Sequence, residues 1–283
     1  MTKTFDPNNY KQTTRDQWQQ AAEAWSDYGP LLRRWLGPAT EQMLDMAGVS
    51  AGSRVLDVAA GAGDQSLQAA ERVGPRGHVV ATDIAPRILE CAAENARLAG
   101  LALETRVLDG ENLDVPAGTF DAVVSRVGLI FFPDQQASLL SMKRALKPGG
   151  RLGAIVYSTA EANRFFSLPV SIIRRRAKLP APLPAQPGPF SLGSPEVLEN
   201  TLTQAGFQDV EIRRVSAPLC MPSAAACLEF EQQSFGALHQ MLSGLSESER
   251  GDAWAEILAG LSEFERDGAF EGPCELLVVA AHS

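Results

Sequence analysis

The chain has 283 residues, of which 45% are hydrophobic and 21% charged, enough to bury one large core or one core with a cap. Its formal net charge of -9 argues against a nucleic-acid partner, because phosphate binding draws on clustered lysine and arginine. The four cysteines are scattered and form no CxxC pair, and the sequence has no signal-peptide pattern, so we expect a cytoplasmic location. No apolar run reaches the roughly 20 residues that a membrane-spanning helix needs.

Two helices are predicted ahead of the main fold. Apolar residues recur at helical spacing between Thr13 and Ala47, and the segment Tyr28-Gly29-Pro30 divides them into two stretches. We therefore expect an N-terminal helical cap over residues 1–50.

Strands and helices alternate in the next hundred residues. The pattern predicts strands at 54–58, 78–82, 103–107, 120–125 and 151–157 and helices at 64–72, 86–99 and 135–146. Short Val, Leu and Ile runs separated by helices are typical of a parallel sheet with both faces covered. The expected fold class is therefore α/β with a doubly wound sheet, and Lys147-Pro148-Gly149-Gly150 is predicted to be a turn.

The pattern changes after Tyr157. We predict a helix at 164–178, a proline-rich connector at 179–189, a helix opened by Ser194 and Pro195, a strand at 209–215 and a terminal strand at 275–281. Residues 223–270 are helical in period and lie between the last two strands. They are predicted to form a helical lid, inserted into a main domain that spans 51–222 and 271–283.

Carboxylates follow the predicted strands of the main domain. Asp57, Asp83 and Asp109 each end an apolar strand, so a parallel sheet would gather them at one edge, where ligands bind in such folds. Small residues at 59–63 would let a ligand approach the backbone. With no cation expected nearby, the edge suits a cationic, hydroxyl-rich ligand, with Asp83 on vicinal ribose hydroxyls and Asp109 on an exocyclic amino group.

A dinucleotide cofactor is the main alternative, since NAD-dependent oxidoreductases use the same kind of sheet. Their pyrophosphate sits at a helix N-terminus, but here Asp57 and Asp64 flank the turn and would repel it. Ala59 and Ser66 also replace the first and third glycines of the dinucleotide motif. The sulfonium and ammonium of S-adenosylmethionine tolerate acidic neighbours, and a non-catalytic module that binds this cofactor is a further alternative.

The segment from Val55 to Val156 resembles the class I S-adenosylmethionine-dependent methyltransferases, in the style of the ubiquinone/menaquinone C-methyltransferase-like branch. The resemblance rests on five ordered segments, which begin at Val55, Ala81, Asp109, Phe120 and Leu146. It implies a seven-stranded sheet with the last strand antiparallel. It also implies S-adenosylmethionine as cofactor, bound by Asp57, Ala59, Ala60, Gly61, Gly63, Asp83, Ile84, Asp109, Gly110 and Arg126, while a cofactor role for Trp18 or Tyr28 stays open.

Chemical catalysis is less visible in the sequence. Alignment alone can supply up to roughly 7 to 11 kcal/mol of a barrier, whereas a phenolic acceptor also needs a base such as His, Glu or Lys. His239 in the predicted lid and Arg126 at the sheet edge are weak catalytic candidates, and Glu229 and Glu231 are no stronger. Apolar lid residues predict a small apolar or aromatic acceptor, with carbon, oxygen or nitrogen as the methylated atom; no metal site, nucleic acid or membrane partner is expected.

Overall fold

The computed structural model describes residues 5–182 and 186–283. Within them the strands are, in chain order, β1 (Arg54–Val58), β2 (His78–Asp83), β3 (Glu104–Val107), β4 (Phe120–Arg126), β5 (Leu146–Tyr157), β6 (Gln208–Ser216), β7 (Leu219–Met221), β8 (Glu265–Arg266), β9 (Ala269–Gly272) and β10 (Glu275–His282). Seven of them form the main sheet in the order β3-β2-β1-β4-β5-β10-β6. Strand β10 is antiparallel to both β5 and β6, and the other neighbours are parallel, which confirms the expected fold class.

Helices cover the sheet and build its additions. They are α1 (Pro7–Asp27), α2 (Gly29–Met46), α3 (Asp64–Val73), α4 (Pro86–Ala99), α5 (Gln135–Ala145), α6 (Arg164–Arg176), α7 (Pro195–Gln204), α8 (Ala224–Ser234), α9 (Gly236–Leu242) and α10 (Glu247–Leu261). Side-chain caps fix several starts: Asp6 accepts the Asn8 and Asn9 N–H groups, and Ser246 forms a capping box with Glu249. Among the helices of the described ranges, none combines the length and apolar character needed to cross a bilayer.

The centre of the sheet is buried on both faces. Leu56 and Val123, which are register partners on one face, and their chain neighbours Val55 and Val124, on the other face, are all 0% exposed. Each fully buried side chain of this size contributes about 1.5 to 3 kcal/mol through the hydrophobic effect. The near-continuous apolar runs seen in the sequence thus become the core that fixes the strand ends in place.

Two segments differ from the sequence-based predictions. Residues 147–150 lie inside β5 as a bulge, because Leu146 pairs with Phe120 and Arg151 with Ala122, and Gly149 takes a φ of +75° there. The end of the predicted helical segment 223–270 is a hairpin of β8 and β9, which forms a small sheet with β7. Its turn is Asp267-Gly268, with φ values of 52° and 80°, an Asp-Gly hairpin signal that the helical interpretation missed.

The two N-terminal helices, the predicted helix at 195 and the two late strands are confirmed. The helix predicted at 164–178 ends at Arg176. The described parts of the proline-rich connector, 179–182 and 186–189, contain no helix or strand. Pro184 of that connector lies outside the described residues.

Candidate functional site

A bend of small residues follows β1 at the edge of the sheet where the parallel strands end. Ala59, Gly61 and Gly63 have φ values of 59°, 57° and 88°, and Gly63 then caps α3. A Cβ at Gly63 would lie 2.9 Å from the Cβ of Ala92 on α4, so only glycine fits there. Gly63 therefore lets the bend pack closely against α4, while Ala59, Ala60 and Gly61 present an open surface.

This surface forms one wall of a cavity that we call the rim cavity. Eight of the ten predicted cofactor-binding residues line it: Ala59, Ala60, Gly61, Asp83, Ile84, Asp109, Gly110 and Arg126. Parallel strands bring these side chains together from segments up to 67 residues apart, because β1, β2 and β4 are neighbours in the sheet. Asp57 and Gly63 do not line the cavity.

Asp57 lies beneath the bend, fully buried, and this corrects its expected direct contact with a ligand. Its carboxylate accepts hydrogen bonds from Ser66 Oγ at 2.5 Å and Gln65 Nε2 at 3.4 Å. Burial raises the pKa of Asp57 to about 6, although these hydrogen bonds act in the opposite direction. Gln65 also donates to the carbonyl of Ala60, so Asp57 stabilises the bend from inside the fold.

Asp83 connects β2 to the same bend. One carboxylate oxygen accepts the Gly61 N–H at 3.1 Å, and the other accepts the Ala85 N–H at 3.0 Å. Burial raises the pKa of Asp83, while these backbone hydrogen bonds oppose the rise. Because a carboxylate accepts about four hydrogen bonds, each oxygen keeps acceptor capacity for a ligand in the rim cavity.

A lysine accompanies the third carboxylate. Lys11 Nζ on α1 lies 2.7 Å from Asp109 Oδ2 and 2.5 Å from Glu111 Oε2. The expectation of no nearby cation was therefore wrong, since Lys11 is 98 residues away in sequence from Asp109. These contacts attach α1 to the loop after β3, and Lys11 itself lines the rim cavity.

Arg126 ends β4 in a buried ion pair. Its Nη1 atom lies 2.6 Å from Asp64 Oδ2 and 3.1 Å from Thr40 Oγ1, and the Arg126 and Asp64 side chains are only 4% and 10% exposed. The sequence analysis predicts a functional contact for this residue and no ion pair. The structure contains the ion pair, and the Arg126 side chain also borders the rim cavity.

His239 lies elsewhere. It is exposed on α9, its Nε2 lies 2.7 Å from the carbonyl oxygen of Gln232, and its ring packs 5.4 Å from Trp254. It borders neither the rim cavity nor the cavity next to it. The structure therefore gives no support to His239 as a catalytic base.

Aromatic side chains close the opposite wall of the rim cavity. Trp18 packs edge-on against Trp25 at 5.4 Å and against Phe131 at 5.5 Å, and Phe166 packs 4.7 Å from Phe235. All five line the cavity. Trp18 therefore borders the cavity and its role toward a cofactor stays a prediction, whereas the Tyr28 hydroxyl donates to Gln233 outside the cavity.

A second cavity, the outer cavity, adjoins the first between α1, α9 and the connector. Residues shared by the two walls are Thr14, Trp18, Phe131, Phe166, Pro189 and Phe235. Its own wall adds apolar residues such as Phe5, Leu179 and Met241. Sequence reasoning missed this cavity because its walls come from three distant segments.

Comparison with known proteins finds methyltransferases. Residues 55–150 match a family model described as a methyltransferase domain. The chain is 32% identical over 203 residues to Nocamycin O-methyltransferase of Saccharothrix syringae, covering 67% of this chain and 71% of that protein. A 40% identical stretch of 115 residues matches a ubiquinone/menaquinone biosynthesis C-methyltransferase of Chromobacterium violaceum, covering 41% of this chain and 47% of that protein.

Other matches extend the comparison. An uncharacterised protein of Mycobacterium tuberculosis is 36% identical over 173 residues, a match that covers 61% of this chain but only 59% of that protein. A crystal structure of a SAM-dependent methyltransferase from Aquifex aeolicus superposes with a TM-score of 0.53 at 18% identity, covering 99% of this chain and 100% of that one. At this identity, the likeness shows a shared fold.

Proposed function

The chain belongs to the class I S-adenosylmethionine-dependent methyltransferase family, and on that premise we propose that it transfers a methyl group from S-adenosylmethionine to a small organic acceptor. The observation that carries the proposal is the pairing of Asp83 with the Gly61 N–H at a cavity that also has an aromatic wall. No specific observation favours the dinucleotide alternative.

The residues of the rim cavity fit this cofactor. Asp83 and Ile84 would hold its ribose and adenine, with Asp109 and Gly110 beside them. The Asp83 carboxylate and the aromatic wall suit a cation, since a sulfonium is attracted by carboxylates and by the faces of aromatic rings. When bound, the cofactor supplies an electrophilic methyl group on a neutral leaving group.

The outer cavity supports the proposed acceptor class. Its shared aromatic wall, with Trp18, Phe131 and Phe166, would place an apolar or aromatic acceptor next to the cofactor. Holding two reactants in line and excluding water can account for up to roughly 7 to 11 kcal/mol of a barrier. The chain's contribution to the reaction would therefore be mainly alignment, with neither nucleic acid nor membrane as partner.

The division into a cap of 1–50, a lid of 223–270 and a main domain remains part of the proposal. Trp18 of the cap segment and Phe235 of the lid segment both contribute to the shared wall, which supports their joint role over the cofactor. A cytoplasmic location also belongs to the proposal, and the free thiols of the four cysteines are compatible with it.

Calorimetry with S-adenosylhomocysteine tests the cofactor assignment. Asp83→Ala should weaken binding by about 1 to 3 kcal/mol, because charged hydrogen bonds to the bend and ligand are lost. Asp114→Ala, at an exposed aspartate outside both cavities, is the matched control and should leave the dissociation constant unchanged. Absence of wild-type binding at millimolar ligand would defeat the proposal.

A second experiment distinguishes an enzyme from a binding module. The protein is incubated with S-adenosylmethionine carrying a labelled methyl group and with small molecules from a cell extract. An enzyme of the proposed class transfers the label to at least one acceptor. A non-catalytic module binds the cofactor and leaves every acceptor unlabelled.

A further inference from the structure

Tyr157 brings an unpaired hydroxyl group to the rim cavity. The residue ends β5, lines the cavity and is only 4% exposed. Within the described ranges its hydroxyl has no hydrogen-bond partner, and it is not one of the unpaired polar atoms that the fold seals off, which belong to Ser138, Glu231 and Ser234. The hydroxyl of a buried tyrosine usually has a partner. Because Tyr157 borders the cavity, that partner can be a ligand.

The strand order places Tyr157 at the end of the rim cavity opposite the predicted adenosine contacts. Asp83 ends β2, and β1 and β4 lie between that strand and β5. Since neighbouring strands are about 4.8 Å apart, β2 and β5 are separated by about 14 Å. Ile155 is the register partner of Arg126, so Tyr157 also extends beyond the end of β4. A cofactor whose ribose is bound at Asp83 therefore leaves the Tyr157 end of the cavity to the second reactant.

Aromatic rings connect this end of the rim cavity to the outer cavity. The Tyr157 ring packs 6.0 Å from Phe165 and 6.4 Å from Phe190, and both of these rings pack against Phe166. Phe166 borders both cavities. The outer cavity has a volume of about 680 Å³, which is in the range of sites that hold drug-sized ligands. An acceptor can thus keep its apolar body in the outer cavity and place one end beside Tyr157.

The groups around Tyr157 leave its hydroxyl protonated and able to donate. Burial raises the pKa of this phenol, so it keeps its proton at neutral pH. Arg126, the cation that opposes the rise, is already paired with Asp64. The other two titratable groups that act on Tyr157 are Cys274 and Glu231, whose pKa values burial also raises. A phenol donor in apolar surroundings suits a ligand oxygen of the phenol, ether or carbonyl type.

We propose that the Tyr157 hydroxyl donates a hydrogen bond to an oxygen atom at the reacting end of the methyl acceptor. The acceptor is a drug-sized, largely apolar molecule that enters the rim cavity with this oxygen first and keeps its body in the outer cavity. This inference rests on the proposed methyltransferase function. The hydrogen bond selects oxygen-bearing acceptors and fixes their orientation toward the methyl donor, and such alignment lowers the barrier to transfer.

A binding experiment tests the contact. With S-adenosylhomocysteine present, 2-naphthol should bind about three- to tenfold more tightly than 2-methylnaphthalene, which has the same shape without the oxygen, because one hydrogen bond has an effect of this size. Tyr157→Phe keeps the ring and should remove the preference. Tyr28→Phe is the matched control, since it removes a hydroxyl that is bonded to Gln233 outside the cavity, and it should keep the preference. Equal binding of the two probes by the wild type, or no binding of either, overturns the inference.

A second pair of probes tests the direction of the hydrogen bond. The ether 2-methoxynaphthalene can only accept a hydrogen bond, and 2-ethylnaphthalene has nearly the same shape without an oxygen. The wild type should prefer the ether about three- to tenfold, and Tyr157→Phe should bind both probes alike. If the wild type prefers 2-naphthol but not the ether, the Tyr157 hydroxyl is not the donor and the proposal is wrong.

Urea unfolding establishes that the variant retains its fold. Because the Tyr157 hydroxyl has no partner in the described part of the chain, Tyr157→Phe should unfold at the same urea concentration as the wild type. A clear loss of stability would mean that the hydroxyl has a partner within the chain, which contradicts the inference.

Calorimetry with S-adenosylhomocysteine on the same preparations separates this inference from the proposed function. The wild type and both tyrosine variants should bind it equally well, and a failure in the naphthalene experiments then refutes only the role of Tyr157. If Tyr157→Phe alone binds it more weakly, the hydroxyl contacts the cofactor and the inference is wrong. If the wild type does not bind it, the proposed function fails and this inference fails with it.

Discussion

The sheet side of the rim cavity and helix α8 treat their buried polar groups in opposite ways. On the sheet side, Asp57, Asp83 and Arg126 are buried and each has partners within the chain. On the α8 side, Glu231 and Ser234 are equally buried and have none among the described residues. The sheet side pairs these three groups within the chain, whereas α8 leaves two buried polar groups unpaired among the described residues.

The largest effect should come from breaking the sheet side at its buried ion pair. Arg126→Met removes the only side-chain cation that pairs with Asp64 in the described part of the chain. Breaking such a pair by removing one partner costs about 3 to 5 kcal/mol, because a charge is left buried. The free energy of unfolding, measured by urea titration with circular dichroism, should fall by that amount.

The double variant with Asp64→Asn is the control for this change. It removes the uncompensated charge as well, so most of the lost stability should return. A loss below about 1 kcal/mol in the single variant would show that Arg126 is not held by Asp64.

A second prediction concerns Asp57 and pH. Because its pKa is raised to about 6 from 3.8, the folded state holds this proton more tightly than the unfolded chain does. The contribution of Asp57 to the free energy of unfolding is therefore fully present below the unfolded pKa, and about 3 kcal/mol is lost as the pH rises through about 6. Asp57→Asn should remove this decrease.

The measurement is a series of urea unfolding curves between about pH 4 and about pH 7, compared as the difference between wild type and variant. Asp114→Asn, at an exposed position, should leave the wild-type slope unchanged. If Asp57→Asn has the same slope as the wild type, the raised pKa of Asp57 is wrong.

The sheet side was predictable from sequence for a physical reason. Its residues follow strands directly, so the period of apolar runs places Asp83 and Asp109 at one edge, and the left-handed bend needs the small residues Gly61 and Gly63 within a few positions. Local rules therefore determine both the fold and the position of these groups. The same rules could not say that Asp57 points into the core instead of the cavity.

The remaining walls depend on contacts between distant segments. Lys11 meets Asp109 only because α1 crosses the strand ends, and Glu231 is buried only because α8 packs against α1 and α10. Sequence spacing carries no signal for either contact, and a glutamate in a helix resembles a solvated one. The outer cavity was unpredictable for the same reason.

A third prediction concerns the stability cost of the unpaired carboxyl on α8. Glu231→Leu replaces a buried, unpaired carboxyl by an apolar group of similar volume. Because no hydrogen bond is lost, the free energy of unfolding should rise by about 1 to 3 kcal/mol. Urea unfolding measures the gain, and the control is Glu229→Leu, whose side chain is exposed and accepts from Gln233. A clear loss of stability in Glu231→Leu would mean that the carboxyl has a structural partner.

The smallest effect is expected at Lys11, which joins the sheet side to α1. Its side chain is 26% exposed, and its partners Asp109 and Glu111 are 34% and 14% exposed, so solvent screens both ion pairs. Such pairs contribute about 0 to 1 kcal/mol each. Lys11→Met should therefore lower the free energy of unfolding by about 1 kcal/mol at low salt.

The difference should nearly vanish at about 1 M salt, where the screening length is about 3 Å. Lys147→Met breaks an ion pair with Asp121 away from both cavities, and it should show the same small, salt-dependent loss in the free energy of unfolding. If Lys11→Met instead lowers the free energy of unfolding by about 3 kcal/mol or more, and the loss persists in high salt, the Lys11 ion pairs behave like the buried ion pair of Arg126. Helix α1 would then be an integral part of the sheet side, and only α8 would contrast with that side.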